Sequence, residues 1–109
     1  MKLTKIYADD CKVCQAIGDR AEPLATGFDF EYGEVELMAL AGESGAFRDY
    51  IVNYHVDSKT GMIDLPIYVI TTDQGDIQGS GHVTNLEEVS NLILSWQKWE
   101  SSQKQSSAD

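Results

Sequence analysis

The sequence predicts an α/β fold with the element order β-α-β-α-β-β-α, its four strands in one mixed sheet flanked by helices. Three observations carry that prediction. Short β-rich runs alternate with stretches of helical apolar spacing as far as Val56. Beyond that point two β-rich runs are separated only by "DQGD", Asp73 to Asp76, which signals a hairpin and leaves no room for a crossover. A chain of 109 residues also has room for one core, and too little length to divide into two.

"KLTKIYA", Lys2 to Ala8, mixes β-branched, aromatic and aliphatic residues in a short run and reads as the first strand. From Lys12 to about Glu22 the spacing of Val13, Ile17 and Ala21 predicts a helix, with Pro23 as its stop or kink. "FDFEYGEVEL", Phe28 to Leu37, alternates apolar with acidic positions, which predicts the second strand with a bulge near Gly33. A second helix is expected over "AFRDYIVNYHV", where Ala46, Phe47, Tyr50, Ile51 and Tyr54 recur at helical spacing behind a Ser44 cap.

"LPIYVITT", opening on Leu65 and Pro66, is the third strand, and "IQGSGHV" after the turn is the fourth, antiparallel to it. Thr84 with Glu87 matches a capping box, and Leu86, Val89, Leu92, Ile93 and Trp96 form one apolar stripe on the last helix. Past Trp99, "ESSQKQSSAD" holds no large apolar residue. The expected organisation is therefore a domain over residues 1–99 and a disordered polar tail over 100–109. The helix between the first two strands predicts a parallel pair with a right-handed crossover.

Eight basic residues against eighteen acidic ones give a net charge of −10, which argues against nucleic acid as a partner. No apolar run is long enough to span a bilayer, and charges interrupt the N-terminus before a signal-peptide core forms. The expectation is a cytoplasmic protein with no membrane partner. In that compartment two cysteines read as thiols or a catalytic couple more readily than as a structural staple.

Those cysteines are Cys11 and Cys14, in "ADDCKVCQAIG" at the junction of the first strand and first helix. A Cys-x-x-Cys at a helix N-terminus sets the first sulfur beside unpaired backbone N–H groups and the positive end of the dipole, both of which favour thiolate. The second sulfur, nearly one turn along, is within reach for disulfide closure. Cys11 is the expected attacking thiolate and Cys14 the resolving thiol. Zinc is the chemical rival, but only His55 and His82 are available to complete the ligands, at a spacing unlike a finger, so no metal is expected. Two inert buried thiols are the plain alternative.

"YADDCKVCQAIG", the later "LPIYVITTDQGDIQGSGHVTNLEEV" and the element order together resemble a small, divergent thioredoxin over most of residues 2–98. Ala8, Cys11 and Cys14 match the family's Ala-x-x-Cys-x-x-Cys, Pro66 its cis-proline, Gly75 its turn glycine and Gly81 the glycine before the last helix. The resemblance implies a thioredoxin fold in which Pro66 is cis, against the ordinary preference of X-Pro bonds, and faces the disulfide. It further implies that Leu65 offers backbone groups to an extended substrate, with Lys12, Val13, Gly81 and His82 bordering the groove.

Where the family has Trp-Cys-Gly-Pro-Cys, Asp10-Cys11-Lys12-Val13-Cys14 stands here. Asp9 and Asp10 oppose the thiolate while Lys12 favours it, and an exposed charge about 7 Å away shifts a pKa by on the order of half a unit. A moderately activated Cys11 is expected. The family's buried aspartate on the first strand, which aids proton transfer to the resolving cysteine, is matched by Lys5. Glu36, or Glu34 in another register, is expected opposite it, so the resemblance implies a proton-transfer pair with its charges exchanged; otherwise the Lys5 amine extends to solvent.

The resemblance thus implies a protein disulfide reductase, an electron carrier cycling between a Cys11–Cys14 disulfide and dithiol. It implies a monomer with no cofactor, and it implies thioredoxin reductase or an equivalent donor and disulfide-containing proteins as partners. A glutathione-dependent, glutaredoxin-like reductase is an alternative that fits the short N-terminus, although "GSGHVTN" replaces that family's Gly-Gly-x-Asp. A thioredoxin-fold binding subunit of a larger complex is the other.

Overall fold

The computed structural model describes residues 1–95. Four strands, β1 (Lys2–Tyr7), β2 (Glu31–Glu36), β3 (Ile67–Thr71) and β4 (Ile77–His82), form one sheet in the order β2-β1-β3-β4. β1 and β2 are parallel, whereas β3 is antiparallel to both β1 and β4. Helices α1 (Lys12–Ile17) and α2 (Ala21–Gly27) join β1 to β2, and α3 (Leu37–Ala41) and α4 (Ala46–His55) join β2 to β3. A last helix, α5, runs over 86–95. The expected mixed sheet and pairings are present, with each predicted crossover helix divided or supplemented.

Layers follow from the strand sequences. All five residues of β3 are buried, because helices cover both faces of the sheet there. One face packs Leu3, Tyr68 and Ile70 against Ile17, Ala21, Ala25, Val89 and Ile93 from α1, α2 and α5. The other packs Ile6, Ile67 and Val69 against Leu40 of α3 and Ile51 of α4. Burying such a side chain completely stabilises by roughly 1.5–3 kcal/mol, so the sheet is held from both sides.

Local chemistry accounts for the differences from the expected boundaries. The helix expected over Lys12 to Glu22 breaks at Gly18, which has φ 55° and donates its N–H to Cys14 O at 2.9 Å. Pro23 then falls in the first turn of α2, where a missing N–H removes no intrahelical bond, so it neither stops nor kinks a helix. β2 begins at Glu31 rather than Phe28, after Asp29 turns the chain with φ 62°.

No bulge occurs at Gly33, which pairs with Thr4 in an unbroken register. A Cβ there would come within 2.9 Å of Lys2 Cε, so the glycine makes room for the lysine stem. The bulge lies instead at Ile70 and Thr71, opposite β4. Gly45, with no side-chain bond, occupies the α4 cap expected of Ser44. At α5 the cap is Asn85, whose Oδ1 accepts the Glu88 N–H at 2.9 Å, one residue beyond the expected Thr84–Glu87 pair. Thr84 Oγ1 donates to Glu88 Oε1 at 2.9 Å, which extends the same cap. Trp96, Trp99 and the tail expected over 100–109 lie outside the described residues.

Candidate active site

β1 ends at Tyr7, and the chain turns through Ala8, Asp9 and Asp10, with Cys11 N–H donating to Ala8 O at 3.1 Å. That turn delivers Cys11 as the N-cap of α1 in extended conformation, its sulfur accepting the Cys14 N–H at 3.1 Å. Cys11 and Cys14 are joined in a disulfide across a Cα–Cα distance of 5.2 Å. The two sulfurs are in unequal surroundings. Cys14 is 3% exposed, whereas Cys11 is only half-buried and is followed by the exposed Lys12 and Val13.

At the same end of the sheet, where Ile67 of β3 pairs with Ile6 of β1, the loop before β3 approaches the same sulfur. The Leu65–Pro66 bond is cis, and Cys11 Sγ lies 3.7 Å from the Leu65 carbonyl oxygen. β4 returns beside it, in register with Ile67 opposite His82 and Tyr68 opposite Gly81. Pro66 O lies 3.0 Å from His82 Nδ1 and accepts the Val83 N–H at 3.3 Å. Cys11, Leu65, Pro66 and His82 therefore meet at one rim, with Lys12 and Val13 exposed beside it and Gly81 half-buried on β4.

Lys5 is placed neither in solvent nor opposite Glu36, and its register neighbour is the alternative, Glu34. The lysine side chain is 3% exposed, so the amine does not extend to solvent. Nζ donates to Cys14 O at 2.9 Å and to Gly18 O at 2.7 Å. Glu36 is not its neighbour: the β1–β2 register sets Glu34 opposite Lys5 and Glu36 opposite Tyr7. The Glu36 carboxylate instead accepts the Ala39 N–H at 3.0 Å and caps α3, which removes the Lys5–Glu36 pairing.

Burial lowers the Lys5 pKa, and the carboxylates of Glu34 and Asp19 partly oppose that shift. The Glu34 carboxylate accepts from Tyr32 Oη at 2.7 Å; burial first, and this bond second, push the Tyr32 phenol upward. Lys5, Cys14, Asp9, Asp19 and Glu34 line one recess of about 290 Å³ behind the disulfide.

Two clusters escaped the sequence reading. Tyr68, opposite Lys5 on β3, is fully buried with a hydroxyl that has no hydrogen-bond partner among the described residues, and burial raises its pKa. Ser80 Oγ lies 2.7 Å from His55 Nε2 and 2.9 Å from Tyr50 Oη, which ties α4 to β4. Neither pattern has a signal in periodicity, because each is assembled by register between distant segments.

No family model and no curated protein matches the chain. Solved structures do. Thioredoxin 1 from the thermophilic eubacterium Thermosipho africanus is similar with a TM-score of 0.61 and 18% identity, over 93% of this chain and 99% of that one. Fasciola hepatica thioredoxin aligns with a TM-score of 0.54 and 18% identity, over 85% of this chain and 79% of that one. A chain of the complex between ferredoxin:thioredoxin reductase and thioredoxin f2 aligns with a TM-score of 0.58 and 11% identity, over 87% and 76%. The chain has the thioredoxin fold, with its cysteine pair spaced as in a thioredoxin-like Cys-x-x-Cys motif.

Proposed function

We propose that this protein is a thiol-disulfide oxidoreductase that reduces disulfides in other proteins through the Cys11–Cys14 couple. The observation that carries the reading is the unequal pair itself: an accessible sulfur at a helix start, bonded to a buried one, beneath the Leu65 carbonyl. In the dithiol form the Cys14 N–H and the start of α1 favour negative charge on Cys11. The Cys11 thiolate attacks one sulfur of a substrate disulfide, forms a mixed disulfide and expels the other sulfur as a thiolate. Cys14 then loses its proton and attacks the Cys11 sulfur, which closes the intramolecular disulfide and releases the second substrate thiolate. Two electrons pass from protein to substrate.

Leu65, Pro66, Lys12, Val13, Gly81 and His82 form the groove that receives the substrate chain. The Leu65 carbonyl oxygen lies 3.7 Å from Cys11 Sγ, and His82 borders it through Pro66 O. An external dithiol donor must restore the pair. The likeness to a chain from a complex with ferredoxin:thioredoxin reductase supports a reductase as that donor. No described helix is long and apolar enough to cross a membrane, and the reaction requires a reducing compartment, for which we propose the cytoplasm, with the protein working as a monomer.

The test is capture of the intermediate. A Cys14→Ser protein incubated with an oxidised peptide is expected to hold it on Cys11 as a mixed disulfide visible by mass spectrometry. Absence of any adduct at Cys11 contradicts the assignment of attacker.

A further inference from the structure

The buried amine of Lys5 takes no part in the exchange steps just described, yet it stands against the backbone of the resolving cysteine. Among the described residues Lys5 is the only buried lysine or arginine. Both of its side-chain hydrogen bonds go to carbonyl oxygens, of Cys14 and Gly18, and no described carboxylate forms an ion pair with it. The N–H of the same Cys14 donates to Cys11 Sγ at 3.1 Å. The cation is therefore separated by one residue's backbone from the sulfur that carries charge when the couple is reduced.

We propose that Lys5 is a positioning residue that sets the redox poise of the couple, its buried positive charge stabilising the reduced form and raising the reduction potential. The inference rests on the reading of Cys11–Cys14 as a reversible couple. When two glutathione molecules reduce the disulfide, the S–S bond breaks and two electrons pass to the protein. Of the two protons released by glutathione, near neutral pH one goes to the Cys14 sulfur and one to solvent, while Cys11 is left as thiolate and glutathione becomes its disulfide. The thiolate charge is thus added to the carboxylates near Lys5 only in the reduced state. A cation in a low-dielectric site interacts with it far more strongly than the exposed Lys12 can.

The groups facing the amine set the limits of this effect. Burial disfavours the ammonium, and Glu34 on β2 and Asp19 after α1 favour it. Asp9 shares the recess. The Tyr7 ring centre lies 5.9 Å from Nζ, and Tyr68 stands opposite on β3. Tyr68 is held neutral by burial.

Wild type, Lys5→Met, Lys5→Gln and Lys5→Arg are equilibrated with glutathione redox buffers at neutral pH, and the disulfide fraction is read by alkylation and mass spectrometry. Lys5→Met and Lys5→Gln are each expected to shift the equilibrium about tenfold toward disulfide, about 30 mV in potential, with Lys5→Arg within about twofold of wild type. As pH rises through the lowered lysine pKa, the wild-type potential should fall below that of Lys5→Arg, whose guanidinium keeps its charge.

A Lys5→Gln protein with the wild-type potential overturns the proposal, because glutamine still carries an N–H donor, on a chain one atom shorter, and removes the charge. If neither neutral variant folds, the alkaline comparison of wild type with Lys5→Arg decides, and parallel profiles overturn it. A wild-type protein that never equilibrates with glutathione overturns the redox reading as well, whereas equal potentials in proteins that do equilibrate overturn the Lys5 role alone.

Discussion

Cys11 and Cys14 have the same chemistry and different surroundings, and in the proposed reaction that difference decides which one attacks. Helix geometry turns Cys14 into the core at 3% exposure and leaves Cys11 at the rim. Cys11→Ser should abolish exchange, while Cys14→Ser should keep the first step and lose the second; stopped-flow measurement of each step checks this. Spacing alone reveals such a pair. It does not reveal Lys5, because nothing in "KLTKIY" says that the amine will find two carbonyls. Tyr68 is equally silent in the sequence, reading only as one more residue in an apolar run. Its buried hydroxyl lacks a partner among the described residues, and such a group costs roughly 1–3 kcal/mol. Tyr68→Phe should therefore stabilise the protein by about 1 kcal/mol in urea unfolding, since the ring packing is kept.

At the scale of elements, apolar periodicity found the long pieces and missed the junctions. α3 spans five residues, too few for a period to show, and its cap is Glu36, whose place in an alternating run assigns it to the strand. The α1–α2 break was carried by Gly18, whose positive φ and paired N–H end the first helix where the apolar spacing continues past it. Gly18→Ala should cost roughly 1–3 kcal/mol, because the strain falls on a residue whose carbonyl also holds Lys5. At α5, Asn85→Ala should cost about 1 kcal/mol and Thr84→Ala less, because Asn85 supplies the oxygen that accepts the Glu88 N–H. Thermal unfolding of the two variants separates the observed cap from the one expected a residue earlier.

Across the whole molecule, the sheet order brings together the end of β1, the start of β3 and the end of β4, three segments far apart in the chain. The cysteine motif and the hairpin glycine were legible because each has a local rule, whereas the cis bond at Pro66 was legible only through the resemblance. The Tyr50–Ser80–His55 cluster was not, because it exists only once α4 crosses β4. Burial first, and the proximity of His82 second, lower the His55 pKa. The unfolded chain therefore takes up a proton more readily there than the folded one, so stability should be lost as pH falls through the ordinary histidine range. His55→Gln should show a smaller fall in urea midpoint than wild type between about pH 7 and about pH 5.

The net charge of −10 gives the surface its character, yet the proposed reaction is set by one sulfur at the rim and what stands behind it. The most direct test of that claim is the reduction of insulin by dithiothreitol, followed by turbidity as the freed chains precipitate. Wild-type protein is expected to accelerate it and Cys11→Ser to have no effect. No acceleration by wild type, or equal acceleration by Cys11→Ser, would contradict it.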